Sequence, residues 1–334
     1  MKYGLVLEGG AMRGLFTAGV TDVLMENGIS FDGAVGVSAG AAFGCNIKSG
    51  QNGRAIRYNL RFAEDERFCS VKSLVKTGDM FGAEFCYHTI PNELDIFDSA
   101  AFEASPMDFW LVCTDILTGK AVYHRMNRVN YSELEWMRAS ASMPMFSRIV
   151  EVSGRKLLDG GIADSIPLRF MEKQGYDKNV VIVTQPRDYV KHRNKAIPLL
   201  KIAYRKYPDL IKACAERHKM YNKELRYIRR SESEGRTLVI APPRKASCRT
   251  YRARYRGAPG SLPHRTHDRH GKPGQNKKFY GKIKIPLCSR GTHTATLYVF
   301  IGGETFLRKG SSPEPLFQRL LIEFCPHIGR TCKK

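Results

Sequence analysis

The sequence predicts an α/β fold in which a mostly parallel central sheet is covered by helices on both faces. Short apolar runs alternate along the chain with segments whose apolar residues recur at helical spacing. The first two runs are each followed by a small-residue turn and a helical segment. Strands that alternate with helices pair in parallel, and the connecting helices then cover both faces of the sheet.

The N-terminal segment predicts a βαβα unit. Residues 3–7 form an apolar run that stops at Glu8-Gly9-Gly10, and residues 14–26 carry apolar side chains at helical spacing. Residues 31–37 form a second run, and an Ala/Gly-rich stretch suited to a closely packed helix starts at Ser38. The connection between two such parallel strands is expected to be right-handed.

The alternation continues through residue 243. Further strands are predicted at 108–114, 156–158, 179–184 and 237–240. Further helices are predicted at 131–140, 168–174 and 198–230.

The formal charge of +22 is concentrated in the C-terminal quarter of the chain. Residues 1–243 hold 34 Lys+Arg against 28 Asp+Glu, whereas residues 244–334 hold 20 against 4. At residue 244 the sequence changes from periodic apolar segments to arginine with scattered tyrosine, proline and glycine. We therefore predict one globular domain over 1–243 and an atypical basic tail over 244–334.

Two interpretations of the tail are possible. Its charge could bind the phosphates of nucleic acid or of an anionic membrane. Alternatively the tail is out of frame: permitted codons for residues 244–271, read one nucleotide later, encode the charge-balanced text EKLPVGRIERDTEALRAAFHIGHMTAM. We favour a frameshifted or disordered tail and infer no nucleic-acid binding from the net charge. His264, His267 and His270 are then incidental, and no metal site is expected.

Composition favours a cytoplasmic protein, with peripheral membrane contact left open. The first apolar run is too short for a signal peptide, and no apolar stretch is long enough to span a membrane. Nine scattered cysteines without a CxxC pair fit reduced thiols better than a disulfide framework.

A serine lies between glycines after the second predicted strand, in Gly36-Val37-Ser38-Ala39-Gly40. The two glycines allow a strained strand-to-helix turn, which presents the serine hydroxyl beside the positive end of the helix. The pentapeptide alone also fits a small-residue turn with a helix-capping serine.

The turn after the first strand favours the catalytic interpretation. Acyl transfer needs backbone N–H groups aimed at a developing oxyanion, and a glycine-rich turn at a helix N-terminus supplies them. The residues in question are Gly9, Gly10, Ala11, Met12, Arg13 and Gly14. This turn and Ser38 follow neighbouring strands, so both are expected at the carboxyl edge of the sheet. A phosphate-binding loop fits less well, because no Gly-Lys-Ser/Thr follows.

A nucleophilic serine needs a base. His192 and His218 would fit the usual Ser, Asp, His order, but neither follows a strand, and both are interpreted as surface residues. Asp159 comes directly after the strand at 156–158 and is followed by Gly160 and Gly161. A dry site would raise the pKa of such a carboxylate toward useful basicity.

Together these segments resemble the patatin-like phospholipases, most closely their small bacterial members. That family has a G-G-x-x-x-G loop, a G-x-S-x-G elbow and a D-G-G/A loop in this order, and the chain has them at Gly9, Gly36 and Asp159. Residues 139–146 resemble the family's A-S-x-A-x-P-x-x-F segment, and residues 162–167 its L-x-D-N-x-P segment with serine for asparagine.

The resemblance implies a serine acyl hydrolase for lipid or phospholipid esters that needs no metal or other cofactor. It implies Ser38 as nucleophile, Asp159 as general base and the Gly9 to Gly14 loop as oxyanion hole. Arg13 would either attract a phosphate or brace the loop. The alternatives are an acyltransferase or thioesterase on the same dyad, or a catalytically silent lipid-binding protein.

Overall fold

The computed structural model of the protein describes residues 1–243, 281–287 and 295–301. The strands are β1 (Tyr3–Leu7), β2 (Gly33–Val37), β3 (Asp108–Asp115), β4 (Ala121–Arg125), β5 (Val150–Val152), β6 (Arg155–Asp159), β7 (Lys178–Ile182), β8 (Thr237–Ile240), β9 (Gly281–Leu287) and β10 (Ala295–Ile301). The helices are α1 (Gly14–Glu26), α2 (Ala39–Lys48), α3 (Arg54–Arg61), α4 (Val71–Thr77), α5 (Ser99–Ala104), α6 (Tyr131–Ser140), α7 (Leu168–Lys173), α8 (Ile197–Ala203) and α9 (Pro208–Ser233). Short 3-10 turns occur at Ala11–Arg13 and Gly160–Ile162, and Phe85–Leu94 is π-helical.

Strands β1 to β8 form one mixed sheet in the order β5-β6-β3-β2-β1-β7-β8, with β4 also paired to β3. Strands β3, β2, β1, β7 and β8 are parallel, which confirms the predicted fold class. Strands β4, β5 and β6 are antiparallel additions at one side. Strands β9 and β10 pair with each other in a separate antiparallel sheet. The rest of the predicted tail lies outside the described residues.

Helices cover both faces of the sheet, as β1 illustrates. Leu5 and Leu7 pack into a core shared with α1, α2 and α6, whereas Val6 packs into a second core shared with α7 and α9. Because successive strand residues point to opposite faces, the wholly apolar run Tyr3–Leu7 supplies both cores.

The prediction of a single helix over 198–230 is wrong, because this segment forms two separate helices, α8 and α9. Pro208 is the first residue of α9, and Tyr207 before it has φ −128 and ψ 71. A proline ring clashes with a helical conformation of the preceding residue, so it starts a new helix rather than continuing the old one.

The other predicted elements are present, with small shifts at their ends. The strand predicted at 31–37 begins at Gly33, and the strand predicted at 179–184 ends at Ile182. Thr184 leaves the sheet because its amide donates to the Glu8 carboxylate at 2.6 Å. Among the described residues, no helix is long and apolar enough to cross a membrane.

Candidate active site

Ser38 occupies a strained turn between β2 and α2, with φ 56 and ψ −124. Its flanking glycines leave no room for side chains. A Cβ on Gly36 would lie 2.5 Å from the Cα of Ala41, and one on Gly40 would overlap the Leu7 carbonyl oxygen. The turn predicted from the G-x-S-x-G spacing is therefore present, and the geometry explains both glycines.

Strand pairing brings Ser38 and Asp159 together. Strand β2 pairs with β3 as far as Val37 opposite Val112. Strand β6 then pairs with the same strand, with Asp159 opposite the next residue, Cys113. Because β4 occupies the other edge of β3, β2 and β6 share one edge and meet end to end. The Ser38 hydroxyl is thereby close enough to the Asp159 carboxylate to lower its pKa.

Asp159 is buried at the end of β6 and is held by its own loop. Its Oδ1 accepts a hydrogen bond from the Gly161 amide at 2.8 Å. A Cβ on Gly160 would overlap the Val112 carbonyl, which explains the first glycine of the loop. Burial raises the pKa of Asp159 above its usual value, although Arg217 and the Ser38 hydroxyl act in the opposite direction. The carboxylate is therefore more basic than an exposed one.

Neither predicted alternative base is near Ser38. His192 lines a separate surface depression with Arg193 and Lys195. The Nδ1 of His218 lies 3.0 Å from the Ala215 carbonyl, one turn earlier in α9. Within residues 1–243, no histidine lines the cavity that contains Ser38.

The glycine-rich turn after β1 packs directly against the serine. A Cβ on Gly9 would lie 2.8 Å from the Cβ of Ser38. The Arg13 amide donates to the Gly10 carbonyl at 3.0 Å, which closes the short 3-10 turn, and Ala11 has φ 46. The amides of residues 9–12 have no hydrogen-bond partner in the described part of the chain. They are available to a ligand beside Ser38.

Glu8, the residue before this turn, fixes its start through buried hydrogen bonds, a role that the sequence did not predict. Its buried carboxylate accepts hydrogen bonds from the Thr184 amide at 2.6 Å and the Tyr221 hydroxyl at 2.7 Å. Burial raises the pKa of Glu8 despite these two bonds. The Thr184 hydroxyl in turn donates to the Gly9 carbonyl at 3.1 Å. The only sequence signal was an acidic residue directly after a wholly apolar strand.

Ser140 supports the elbow from the opposite side. The Ser38 amide donates to the Ser140 hydroxyl at 3.0 Å, and that hydroxyl donates to the Val112 carbonyl at 2.7 Å. The sequence gives Ser140 no role beyond its place in the segment 139–146, because a serine at a helix end does not reveal a partner 102 positions away.

Ser38 and Asp159 line a cavity of about 650 Å³ with a largely apolar wall. Representative wall residues come from α2, α3, the segment 80–97, α6 and the segment 141–147: Phe43, Tyr58, Phe81, Ile90, Met137 and Phe146. The cavity is large enough for a ligand of lipid character, and few of its walls offer hydrogen bonds.

Four basic side chains also line this cavity: Arg13, Arg54, Lys191 and Arg217. The Arg217 Nε donates to the Gly161 carbonyl at 2.5 Å, so this residue also fixes the loop after Asp159. Among the described residues, no group of three or more His, Cys, Asp or Glu side chains could hold a metal ion.

Comparison with known proteins gives two matches to family models. Residues 5–171 match the model described as patatin-like phospholipase, and residues 207–253 match a domain of unknown function, DUF6363. The first match contains Ser38, Asp159 and the turn after β1. The second covers all of α9 and extends past residue 243.

Several relatives are similar to this chain. The uncharacterized protein YjjU of Escherichia coli is 32% identical over 194 residues, which are 55% of this chain and 52% of that protein. An uncharacterized NTE family protein of Mycobacterium tuberculosis is 28% identical over 167 residues, 50% of this chain and 44% of that protein. Lysophospholipase NTE1 of Meyerozyma guilliermondii is 32% identical over 181 residues, 52% of this chain and 12% of that protein. The match thus spans about half the length of these two bacterial relatives.

Proposed function

Because this chain belongs to the patatin-like phospholipase family, we propose that it is a lipid acyl hydrolase with Ser38 as nucleophile and Asp159 as general base. The observation that carries the proposal is the meeting of a strained serine and a buried, basic carboxylate in one apolar cavity. A relative named as a lysophospholipase supports a lipid ester as the substrate.

In the first half of the proposed reaction, Asp159 takes the hydroxyl proton of Ser38 as the oxygen attacks the ester carbonyl carbon. The carbonyl oxygen becomes an oxyanion, which the free amides of the Gly9 to Met12 turn would stabilise. The amides of Arg13 and Gly14, also predicted as donors, are engaged by carbonyls within the turn itself. The tetrahedral intermediate then expels the alcohol, which takes the proton from Asp159. An acyl ester of Ser38 remains.

In the second half, water attacks the acyl ester and gives its proton to Asp159. Collapse of this second intermediate returns the proton to the Ser38 oxygen and releases the fatty acid. These steps need no metal ion or cofactor. Burial of Asp159 favours them, since a carboxylate with a raised pKa accepts a proton more readily.

A fluorophosphonate probe tests the nucleophile directly, because it mimics the tetrahedral intermediate and traps an activated serine. We expect labelling of Ser38 alone, together with turnover of a short-chain chromogenic ester. Turnover also excludes the catalytically silent alternative. Active protein that carries no label on Ser38 would contradict the proposal.

Transfer of the acyl group to an acceptor other than water is the second candidate within the same chemistry. An acyl ester of Ser38 can pass to a second alcohol or thiol as well as to water. Competition by added acceptor alcohols, read as acylated acceptor against free fatty acid, separates a hydrolase from an acyltransferase. Turnover of an acyl thioester in place of the oxygen ester identifies a thioesterase.

We further propose that the protein meets its substrate at a membrane surface from the cytoplasmic side. Five apolar side chains, which we call the rim, are at least half exposed: Val71, Val75, Phe146, Leu199 and Ile202. Hydrogen bonds connect their segments around the cavity: the Met80 amide donates to the Phe146 carbonyl at 2.8 Å, and the Met145 amide to the Tyr204 hydroxyl at 3.0 Å. Met80 and Phe146 both line the cavity.

Lysines accompany the rim on both helices. Lys76 lies on α4 and Lys201 on α8, whereas Lys72 of α4 pairs with Glu66 at 2.5 Å. Apolar side chains flanked by lysine suit the interface of an anionic bilayer, where the former insert and the latter approach lipid phosphates. A rim around the cavity would let a lipid enter Ser38's cavity directly from the bilayer.

A further inference from the structure

The cavity holds three cations that have no carboxylate partner in the described part of the chain. Arg13, Lys191 and Arg217 line it, and none of them forms a salt bridge to a described Asp or Glu. The Nε of Arg13 is buried and has no hydrogen-bond partner among the described residues. Other buried cations are satisfied: Arg54, which lines the same cavity, pairs with Asp95 at 3.2 Å.

The two carboxylates nearest to these cations are already engaged. Both oxygens of Glu8 accept hydrogen bonds, from Thr184 and Tyr221. Asp159 accepts from Gly161 and lies in reach of Ser38. The cations affect both carboxylates by electrostatic attraction without direct contact. Arg13 and Lys191 lower the pKa of Glu8 in this way, and Arg217 and Lys191 lower the pKa of Asp159.

The backbone of Lys191 is held against α9. Its amide donates to the Asn222 side chain at 2.9 Å, and its carbonyl accepts from the same amide group at 3.0 Å. Its Nζ lies 4.6 Å from the centre of the Tyr221 ring. The segment 189–191 is therefore fixed on α9, and the ammonium group is fixed over the ring whose hydroxyl bonds Glu8.

Partial burial of a cation that has no carboxylate partner is costly, because the charge loses hydration that a neutral contact does not fully replace. The pKa of Lys191 shows this cost, because burial, and then the neighbouring Arg217, lower it to about 8. An anion bound among the three side chains would offset the cost. Guanidinium and ammonium groups together are the usual protein ligands of phosphate.

We propose that Arg13, Lys191 and Arg217 form a subsite for the phosphate of an acyl ester whose alcohol portion carries a net negative charge. This inference rests on the proposed function, since it identifies the substrate class of the same site. In a glycerophospholipid only a short glycerol backbone separates the phosphate from the ester carbonyl. A phosphate held here therefore places that carbonyl near Ser38, and the glycerol that carries the phosphate becomes the leaving alcohol.

The charge balance favours anionic over zwitterionic head groups. A quaternary ammonium on the head group would enter a cavity lined by four cations against two carboxylates, Glu8 and Asp159. A phosphatidylglycerol or phosphatidate head group brings only negative charge. We expect discrimination between the two classes to depend on Lys191 and Arg217, which lie outside the serine, aspartate and glycine motifs.

The first test compares three substrates with the same acyl chain in neutral detergent micelles at fixed mole fraction: a monoacylglycerol, a lysophosphatidylcholine and a lysophosphatidylglycerol. We expect the full-length protein to favour the anionic substrate over the neutral one by roughly tenfold in kcat/KM. Lys191→Met should lower this ratio roughly tenfold, and Lys191→Arg should restore most of it. Lys173→Met, which removes an exposed lysine of α7, is the matched control and should leave the ratio unchanged. Equal ratios in wild type and Lys191→Met, or a preference for the choline lipid, would overturn the subsite.

The second test needs no turnover. Calorimetric titration of the full-length Ser38→Ala protein with sn-glycerol 3-phosphate should show binding. A second substitution in the same protein, Lys191→Met, should weaken this binding roughly tenfold or more. Glycerol should not bind, and inorganic phosphate alone should bind if the phosphate is the recognised group. If binding depends on Lys191 but the wild-type protein has no esterase activity, the proposed function is wrong and the anion subsite stands. If the wild-type protein has esterase activity but this binding is absent, the anion subsite is wrong and the proposed function stands.

Discussion

The hydroxyl of Ser140 links the backbone of Ser38 to strand β3. It accepts from the Ser38 amide at 3.0 Å and donates to the Val112 carbonyl at 2.7 Å, and its side chain is fully buried. Ser38 itself has φ 56, a conformation that costs free energy in any residue other than glycine. Two hydrogen bonds through one hydroxyl therefore help to hold the strained turn.

Removal of that hydroxyl should affect activity more than stability. Ser140→Ala leaves a buried amide and a buried carbonyl without a partner, which should lower the free energy of unfolding by about 1–3 kcal/mol. A small shift of the Ser38 turn should also slow fluorophosphonate labelling of Ser38 about 10- to 100-fold. Urea denaturation and labelling rates measure the two effects.

Ser142→Ala is the matched control for this prediction. It removes another buried hydroxyl of the same segment, which donates to the Arg138 carbonyl at 2.8 Å rather than to the elbow. We expect a similar loss of stability with nearly unchanged labelling. Equal labelling rates in Ser140→Ala and wild type would show that the strained turn does not depend on Ser140.

Ser38 and Asp159 should behave as one unit. Ser38→Ala and Asp159→Asn should each lower kcat/KM by at least about a thousandfold, and the double variant should be no worse than either, because each loss already removes the covalent step. His192→Ala and His218→Ala serve as controls and should stay within a few-fold of wild type. A double variant far worse than both singles, or a histidine variant as inactive as Ser38→Ala, would argue for another base.

Local patterns in the sequence predicted the core of the fold, and the turn and loop that bring Ser38 and Asp159 together. The turn at Ser38 and the loop at Asp159 were predictable because glycines mark backbone positions that a Cβ would block, as at Gly36 and Gly160. The edge strands β4 and β5 and the helices between Gly50 and Met107 were not predicted. Their residues are only partly buried or irregularly spaced, so the apolar period is weak.

Residues that act across the fold could not be predicted in this way. Glu8 meets Thr184 and Tyr221 over 176 and 213 positions, and Lys191 approaches the cavity only because Asn222 holds its backbone. Such contacts depend on the packing of α9 against the sheet. Sequence spacing contains no information about them.

A buried carboxyl pair should make stability fall with pH. Burial and the neighbouring Asp164 raise the pKa of Glu224 from 4.5 to about 10, and the Tyr123 hydroxyl donates to Asp164 at 2.6 Å. Between these two pH values the folded protein keeps a proton on Glu224 that the unfolded chain releases. The free energy of unfolding therefore decreases as pH rises through this range.

Glu224→Gln tests that sign, since the amide can still donate to Asp164 but does not titrate. We expect the loss of stability between about pH 6 and pH 9, measured by urea midpoints, to be smaller in the variant than in wild type. Glu216→Gln, on the exposed face of α9, should not change the slope. Parallel curves for Glu224→Gln and wild type would mean that Glu224 is ionised in the folded protein.

The rim should matter only when the substrate lies in a bilayer. Val75→Asp and Ile202→Asp each replace an exposed apolar side chain with a carboxylate that anionic lipid repels. We expect each to weaken binding to phosphatidylglycerol vesicles about tenfold, because each loses the free energy gained by burying one aliphatic side chain. The loss in vesicle hydrolysis should exceed any loss with a monomeric short-chain ester.

Ile96→Asp is the control for the rim, because Ile96 is comparably exposed but does not belong to it. It should bind vesicles like wild type. If all three variants bind vesicles equally well, the protein does not approach the bilayer through α4 and α8.

The basic tail should be dispensable for the chemistry. Every described residue that lines the cavity precedes residue 222, and β8 completes the sheet at Ile240. A variant that ends at residue 243 should therefore hydrolyse a monomeric ester within a few-fold of the full chain.

If residues 244–334 are an out-of-frame product, resequencing of the coding DNA should show a one-nucleotide discrepancy near codon 244, and the corrected sequence should be helical and charge-balanced. A confirmed frame together with salt-sensitive loss of vesicle binding in the shortened variant would instead assign the +16 of the tail to an anionic membrane.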